Sequence, residues 1–126
     1  MAVKLIAHEP NLYLTVWTPF VDADQINAAM RQIYQQVEAA GEDRYAVIAD
    51  LTALKRIPFE IRGVRRWLDE DPRALAFINV ATPFILTPLR SVFQDMMLNK
   101  IAFASTQEEA LDLARGALFR DEPLTA

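Results

Sequence analysis

Tyr45-Ala46-Val47-Ile48-Ala49-Asp50-Leu51 is apolar at every position except Asp50. A strand with one wet face alternates polar and apolar residues. This run has no polar face, so it reads as a strand covered on both sides. Strands of that kind form the middle of parallel sheets, whose crossover helices supply the covers. Leu75-Ala76-Phe77-Ile78-Asn79-Val80 has the same character. The expected fold is therefore α/β.

Towards the N-terminus, Leu12 to Thr18 alternates, with Leu12, Leu14 and Val16 on one face and Tyr13, Thr15 and Trp17 on the other. Val3 to His8 is a shorter strand. Only the turn Glu9-Pro10-Asn11 separates the two, and so short a link makes an antiparallel hairpin. Pro19-Phe20 ends the second strand. Asp22 then stands as a helix N-cap with Gln25 three residues on, a capping box. Ile26, Met30, Ile33, Val37 and Ala40 follow at helical spacing, and Gly41 supplies the left-handed stop.

Towards the C-terminus, Pro58 is a good first helical residue, and Phe59, Ile61, Val64, Trp67 and Leu68 give the helix an apolar side. Asp69-Glu70-Asp71 reads as its exposed end, and Pro72 stops it. Thr87-Pro88 is the expected cap and first residue of the next helix, which Leu89, Val92, Phe93, Met96 and Met97 line. Phe93, Met96, Met97 and Leu98 lie close enough to leave an apolar patch for a partner. Ile101 to Ala104 is a short last strand. Ser105 with Glu108 forms a capping box, and Leu111, Ala114 and Leu118 carry the final helix. The expected order is β-β-α-β-α-β-α-β-α. It makes one domain over residues 1–119, a mostly parallel sheet with an antiparallel first strand and helices packed on it, followed by a C-terminal tail over 120–126.

The 126 residues are 52% hydrophobic and 24% charged, enough apolar side chain for one core. Cysteine is absent, which excludes a disulfide framework and a Cys-based zinc site and fits a cytoplasmic setting. The net charge of -4 argues against nucleic acid, whose affinity comes mostly from Lys and Arg contacts to phosphate. Lys55 to Arg73 is rich in basic residues but also holds Glu60, Asp69, Glu70 and Asp71, and reads as a solvated helix face. The longest uncharged stretch, Ala74 to Leu89, is broken by Asn79, Thr82, Pro83, Thr87 and Pro88, so no membrane insertion is expected.

The usual catalytic signatures are missing. His8 is the sole histidine and sits beside a turn, where a partly exposed strand-end role explains it. Gly41, Gly63 and Gly116 are too scattered for a phosphate-binding loop or a dinucleotide fingerprint. Asp22-Ala23-Asp24 is explained by capping, and neither acidic cluster has a calcium-loop spacing. No catalytic residue, cofactor or metal is expected. The remaining candidate is positional. In open parallel sheets, ligands bind beyond the carboxyl ends of the strands. Asp50, Thr52, Thr82 and Thr106 occupy those ends, beside the N-termini of the following helices.

The buried strand ending in Asp50-Leu51-Thr52, followed by a loop and a helix, resembles the SpoIIAA-like, STAS-type domains. So does Ile101-Ala102-Phe103-Ala104-Ser105 followed by Glu108-Glu109-Ala110-Leu111. The resemblance covers almost the whole chain and implies a non-enzymatic regulatory module. Such a module binds a protein partner or self-associates as a homodimer. A second reading is a sensor or carrier for a small anion or apolar ligand at the strand-end edge. The anti-anti-sigma-factor branch carries a phosphorylatable serine where the second helix starts. Here that neighbourhood reads Arg56-Ile57-Pro58-Phe59-Glu60, with no hydroxyl, so the resemblance implies no phosphoryl switch at that point.

Overall fold

The computed structural model describes residues 3–57, 68, 70–91 and 100–124, and the helical backbone of 92–94. Strands β1 (Val3–Glu9) and β2 (Leu12–Trp17) form the opening hairpin; helix α1 (Ala23–Ala40) and strand β3 (Tyr45–Asp50) follow. Strand β4 (Ala74–Val80), helix α2 (Pro83–Gln94), strand β5 (Ile101–Ala104) and helix α3 (Gln107–Arg120) complete the described elements. The five strands lie in the order β1-β2-β3-β4-β5. The first pair is antiparallel and the rest are parallel, as the sequence led us to expect. The helix expected from Pro58 falls outside the described residues apart from buried Leu68, as does the patch of Phe93, Met96, Met97 and Leu98.

Sheet order equals chain order, so each crossover steps one strand in the same direction. With crossovers of one hand, the connecting helices then share one face. The core agrees. Ile26, Ile33 and Val37 of α1 and Ile85 and Leu89 of α2 pack together over Tyr45, Val47 and Phe77. Helix α3 lies over the other face, where Ala110, Ala114 and Ala117 meet Ala46, Ile48, Ala76 and Ile78. The residues of β3 and β4 alternate between the two cores, except that a register shift puts Leu75 and Ala76 both on the α3 side, and every one of them is buried. This is the physical content of the unbroken apolar run.

Helix α1 has the expected ends. Asp22 Oδ1 accepts from Gln25 N at 2.9 Å, and Gln25 Oε1 accepts from Asp22 N at 2.9 Å. Gly41 sits at φ 64°, a left-handed conformation. Ala29 joins the buried stripe, and Ala40 is exposed. Two other starts differ from expectation. Helix α2 begins one turn earlier: the Thr82 carbonyl accepts from Ile85 N at 3.0 Å and Leu86 N at 2.8 Å, leaving Pro88 inside the helix. Helix α3 is capped by Thr106, whose hydroxyl accepts from Glu109 N at 3.1 Å, and Glu109 reaches back to Ser105 N at 3.2 Å. The cap is thus one residue later than Ser105, and the returning carboxylate, Glu109, bonds the amide before the cap rather than the cap's own. Alanines replace the expected leucines at the centre of the α3 contact, while Leu111 and Leu118 pack at its margin.

Candidate functional site

The carboxyl ends of the parallel strands gather on one edge of the sheet. Asp50 closes β3 and is 8% exposed. Its Oδ1 accepts from Thr52 N at 3.0 Å and from Thr52 Oγ1 at 2.6 Å, and its Oδ2 accepts from Gln107 Nε2 at 2.7 Å. An aspartate folding back on the amide two residues ahead is an Asx turn, which shapes the loop leaving β3. Gln107 is the first residue of α3, so the same carboxylate fastens that loop to the helix on the far face. Of the four residues expected here, Asp50 and Thr52 are joined directly. Thr106 stands nearby, but its hydroxyl caps α3. Thr82 is exposed one strand further along, at the start of α2.

The same edge carries features the sequence reading passed over. Phe20 is 64% exposed in the loop leaving β2, and Phe84 is 80% exposed in the first turn of α2. The loop leaving β3 lies between them, held by Lys55 N donating to Pro19 O at 2.9 Å. The Arg56 guanidinium lies 6.0 Å from the centre of the Phe20 ring. A signal was present: Pro19-Phe20, Pro58-Phe59 and Pro83-Phe84 each follow a parallel strand. The two pairs that are described turn their phenylalanine outward.

Deeper in the sheet, Thr15, Ala49 and Asn79 stand side by side in register. Thr15 is fully paired, accepting from Trp17 Nε1 at 3.0 Å and donating to Ile48 O at 3.2 Å. Asn79 donates to Ala102 O at 3.3 Å, while its buried Oδ1 has no hydrogen-bond partner among the described residues.

The opposite edge is closed by ion pairs. Asp71 was read as part of an exposed helix end, yet it is only 7% exposed. It accepts from Tyr45 Oη at 2.7 Å and from Arg73 Nε at 3.0 Å, and Arg73 continues to Glu38 of α1 at 2.6 Å. Arg73 is therefore not part of a solvated helix face. Burial pushes the Asp71 carboxyl up, but the hydrogen bonds from Arg73 and Tyr45 outweigh it and hold it below the usual aspartate range. Burial and the facing carboxylates hold the Tyr45 and Tyr13 hydroxyls above the usual tyrosine range, Tyr13 donating to Glu42. Lys100 donates to the carbonyls of Leu68 and Asp71 at 2.8 and 3.2 Å. An open groove of about 490 Å³ borders this network, lined by Tyr34, Glu38, Glu70, Asp71, Pro72 and Arg73.

No family model matches the chain, and no curated protein sequence does. Among solved structures, it is similar to the Bacillus cell fate determinant SpoIIAA in its phosphorylated form. The TM-score is 0.60 at 19% sequence identity, over 88% of this chain and 97% of that one. At that identity the likeness is one of architecture: this chain has a SpoIIAA-like fold.

Proposed function

We propose that this chain is a non-enzymatic, regulatory module of the STAS type. It binds a protein partner, or a second copy of itself, at the carboxyl edge of its parallel sheet. The observation that carries this reading is the exposure of Phe20 and Phe84 on that one edge. Large aromatic side chains left in water on one edge of a fold are characteristic of binding surfaces, where they act as anchors. The fold supports the reading, since the similar structure is that of a cell fate determinant. In this proposal Thr52, Thr82 and Thr106 give the aromatic patch a polar rim, and Asp50 holds the rim's loop in shape. The module spans residues 1–119 and works in the cytoplasm. The segment Arg56-Ile57-Pro58-Phe59-Glu60 offers no hydroxyl, so binding is not switched by a phosphoryl group at the start of the second helix.

A small anion or apolar ligand at this edge has weaker support, because the Asp50 oxygens and the Thr106 hydroxyl already serve the chain itself. The test compares wild type with Phe20→Ser/Phe84→Ser, using affinity capture from the protein's own cells and native mass spectrometry. One defined protein, or a dimer mass, should be present for wild type and lost for the variant. Identical profiles and oligomeric states would remove the proposal. A retained small-molecule mass would favour the ligand reading.

A further inference from the structure

We infer that the partner bound at this edge presents an acidic segment, its carboxylates meeting Lys55 and Arg56 between the two exposed phenylalanines. This rests on the reading of the edge as a protein-docking surface and adds the partner's charge.

The inference follows from how the chain disposes of its cations. On the opposite edge the arginines are paired: Arg73 with Asp71 and Glu38, Arg115 with Glu9, Arg44 with Asp121. At the carboxyl edge Lys55 and Arg56 are exposed, and neither forms an ion pair with any described residue. Lys4, Arg31 and Arg90 are likewise exposed without an ion pair to a described residue, but each stands alone in the sequence, whereas Lys55 and Arg56 adjoin, in the loop between two exposed aromatic rings. The acids of this end serve other ends. Asp22 and Glu109 accept from backbone amides, and Asp24 and Glu108 sit in the first turns of α1 and α3, where the helix dipole favours them.

The aromatic ring prepares the cation. A guanidinium held over a ring face keeps its outer N–H edge free to take a carboxylate through two parallel bonds. The Arg56 guanidinium carbon lies over the Phe20 ring, 6.0 Å from its centroid. A partner segment with an apolar side chain beside Asp or Glu would cover Phe20 or Phe84 and meet Arg56 or Lys55 together. Charge of this sign at the rim also steers encounter.

The test is a selection of random linear peptides displayed on phage against the intact chain, with the selected peptides then measured by calorimetry. Selected peptides should combine Asp or Glu with Leu, Phe or Trp. Their affinity should fall at least about tenfold for Lys55→Glu/Arg56→Glu and weaken as salt rises. Circular dichroism checks that each variant is folded. Selection of neutral or basic peptides, or affinity indifferent to charge reversal yet lost in Phe20→Ser/Phe84→Ser, overturns the inference and leaves the docking reading standing. Peptides indifferent to both variants, or no selected peptides, remove both. A wild-type dimer broken by Phe20→Ser/Phe84→Ser assigns the edge to a second copy and overturns the inference. So does single-stranded oligothymidylate binding with the same dependence on Lys55 and Arg56.

Discussion

At the scale of the residue, Asp71 has the most to say about stability. Its carboxylate accepts from the Arg73 amide and side chain and from the Tyr45 hydroxyl, which ties the starts of β3 and β4 together. The folded protein holds this group below its ordinary value, so the ionised form is favoured by folding. Its contribution is complete above the unfolded aspartate value of about 3.9 and is lost as pH falls through the folded value. Asp71→Asn should cost about 2 kcal/mol at pH 7 and flatten the acid side of the stability profile. Urea denaturation from pH 7 down to pH 3 checks both, and an unchanged acid slope would count against it. The sequence hid this residue. Asp69-Glu70-Asp71 looks like a solvated charge run, and the partner that makes the difference, Tyr45, is remote in the chain. Asp50 was easier, because its first partner, Thr52, is two residues away. Phe20 and Phe84 were hidden differently: an apolar residue is presumed buried until the neighbouring elements are seen to leave it bare.

At the scale of the element, helices were legible where one cap dominated and ambiguous where two competed. Helix α1 has a single Asp22…Gln25 box and one Gly41. Around α2 the chain offers two identical signals, Thr82-Pro83 and Thr87-Pro88, and either fits a helix start. Ile85 decides between them, since starting at Thr82 buries it beside Leu89. Before α3, Ser105…Glu108 and Thr106…Glu109 are equally good boxes offset by one residue, and burying Ala110, Ala114 and Ala117 selects the second. The earlier start of α2 has a measurable consequence. Pro88 lies inside that helix, where it lacks the N–H that would bond the Phe84 carbonyl. Pro88→Ala should therefore stabilise the protein by about 1 kcal/mol or more. Were Pro88 the first helical residue, the same change would be neutral or unfavourable. Denaturant midpoints distinguish the two.

At the scale of the whole molecule, one sheet serves two cores. Strands β3 and β4 contribute alternate residues to each, so neither face can be disturbed alone. Ala114 is fully buried where α3 meets the sheet. Ala114→Leu should overpack that face and cost about 1–3 kcal/mol. The loss should appear as one cooperative transition, with far- and near-ultraviolet circular dichroism moving together. Two separated transitions would show the faces to be independent. The α/β class and the parallel sheet were readable because both covers are written into one unbroken apolar run. Which helix covers which face was not, since that depends on the direction each crossover takes. The placement of α3 also bears on biosynthesis. Among the described helices it is the one that covers Ala46, Ile48, Ala76 and Ile78, and it follows all five strands of the sheet. While the ribosome is still delivering residues beyond Ala104, the nascent sheet holds a bare, adhesive face to its surroundings. That interval is when the growing polypeptide most needs a chaperone.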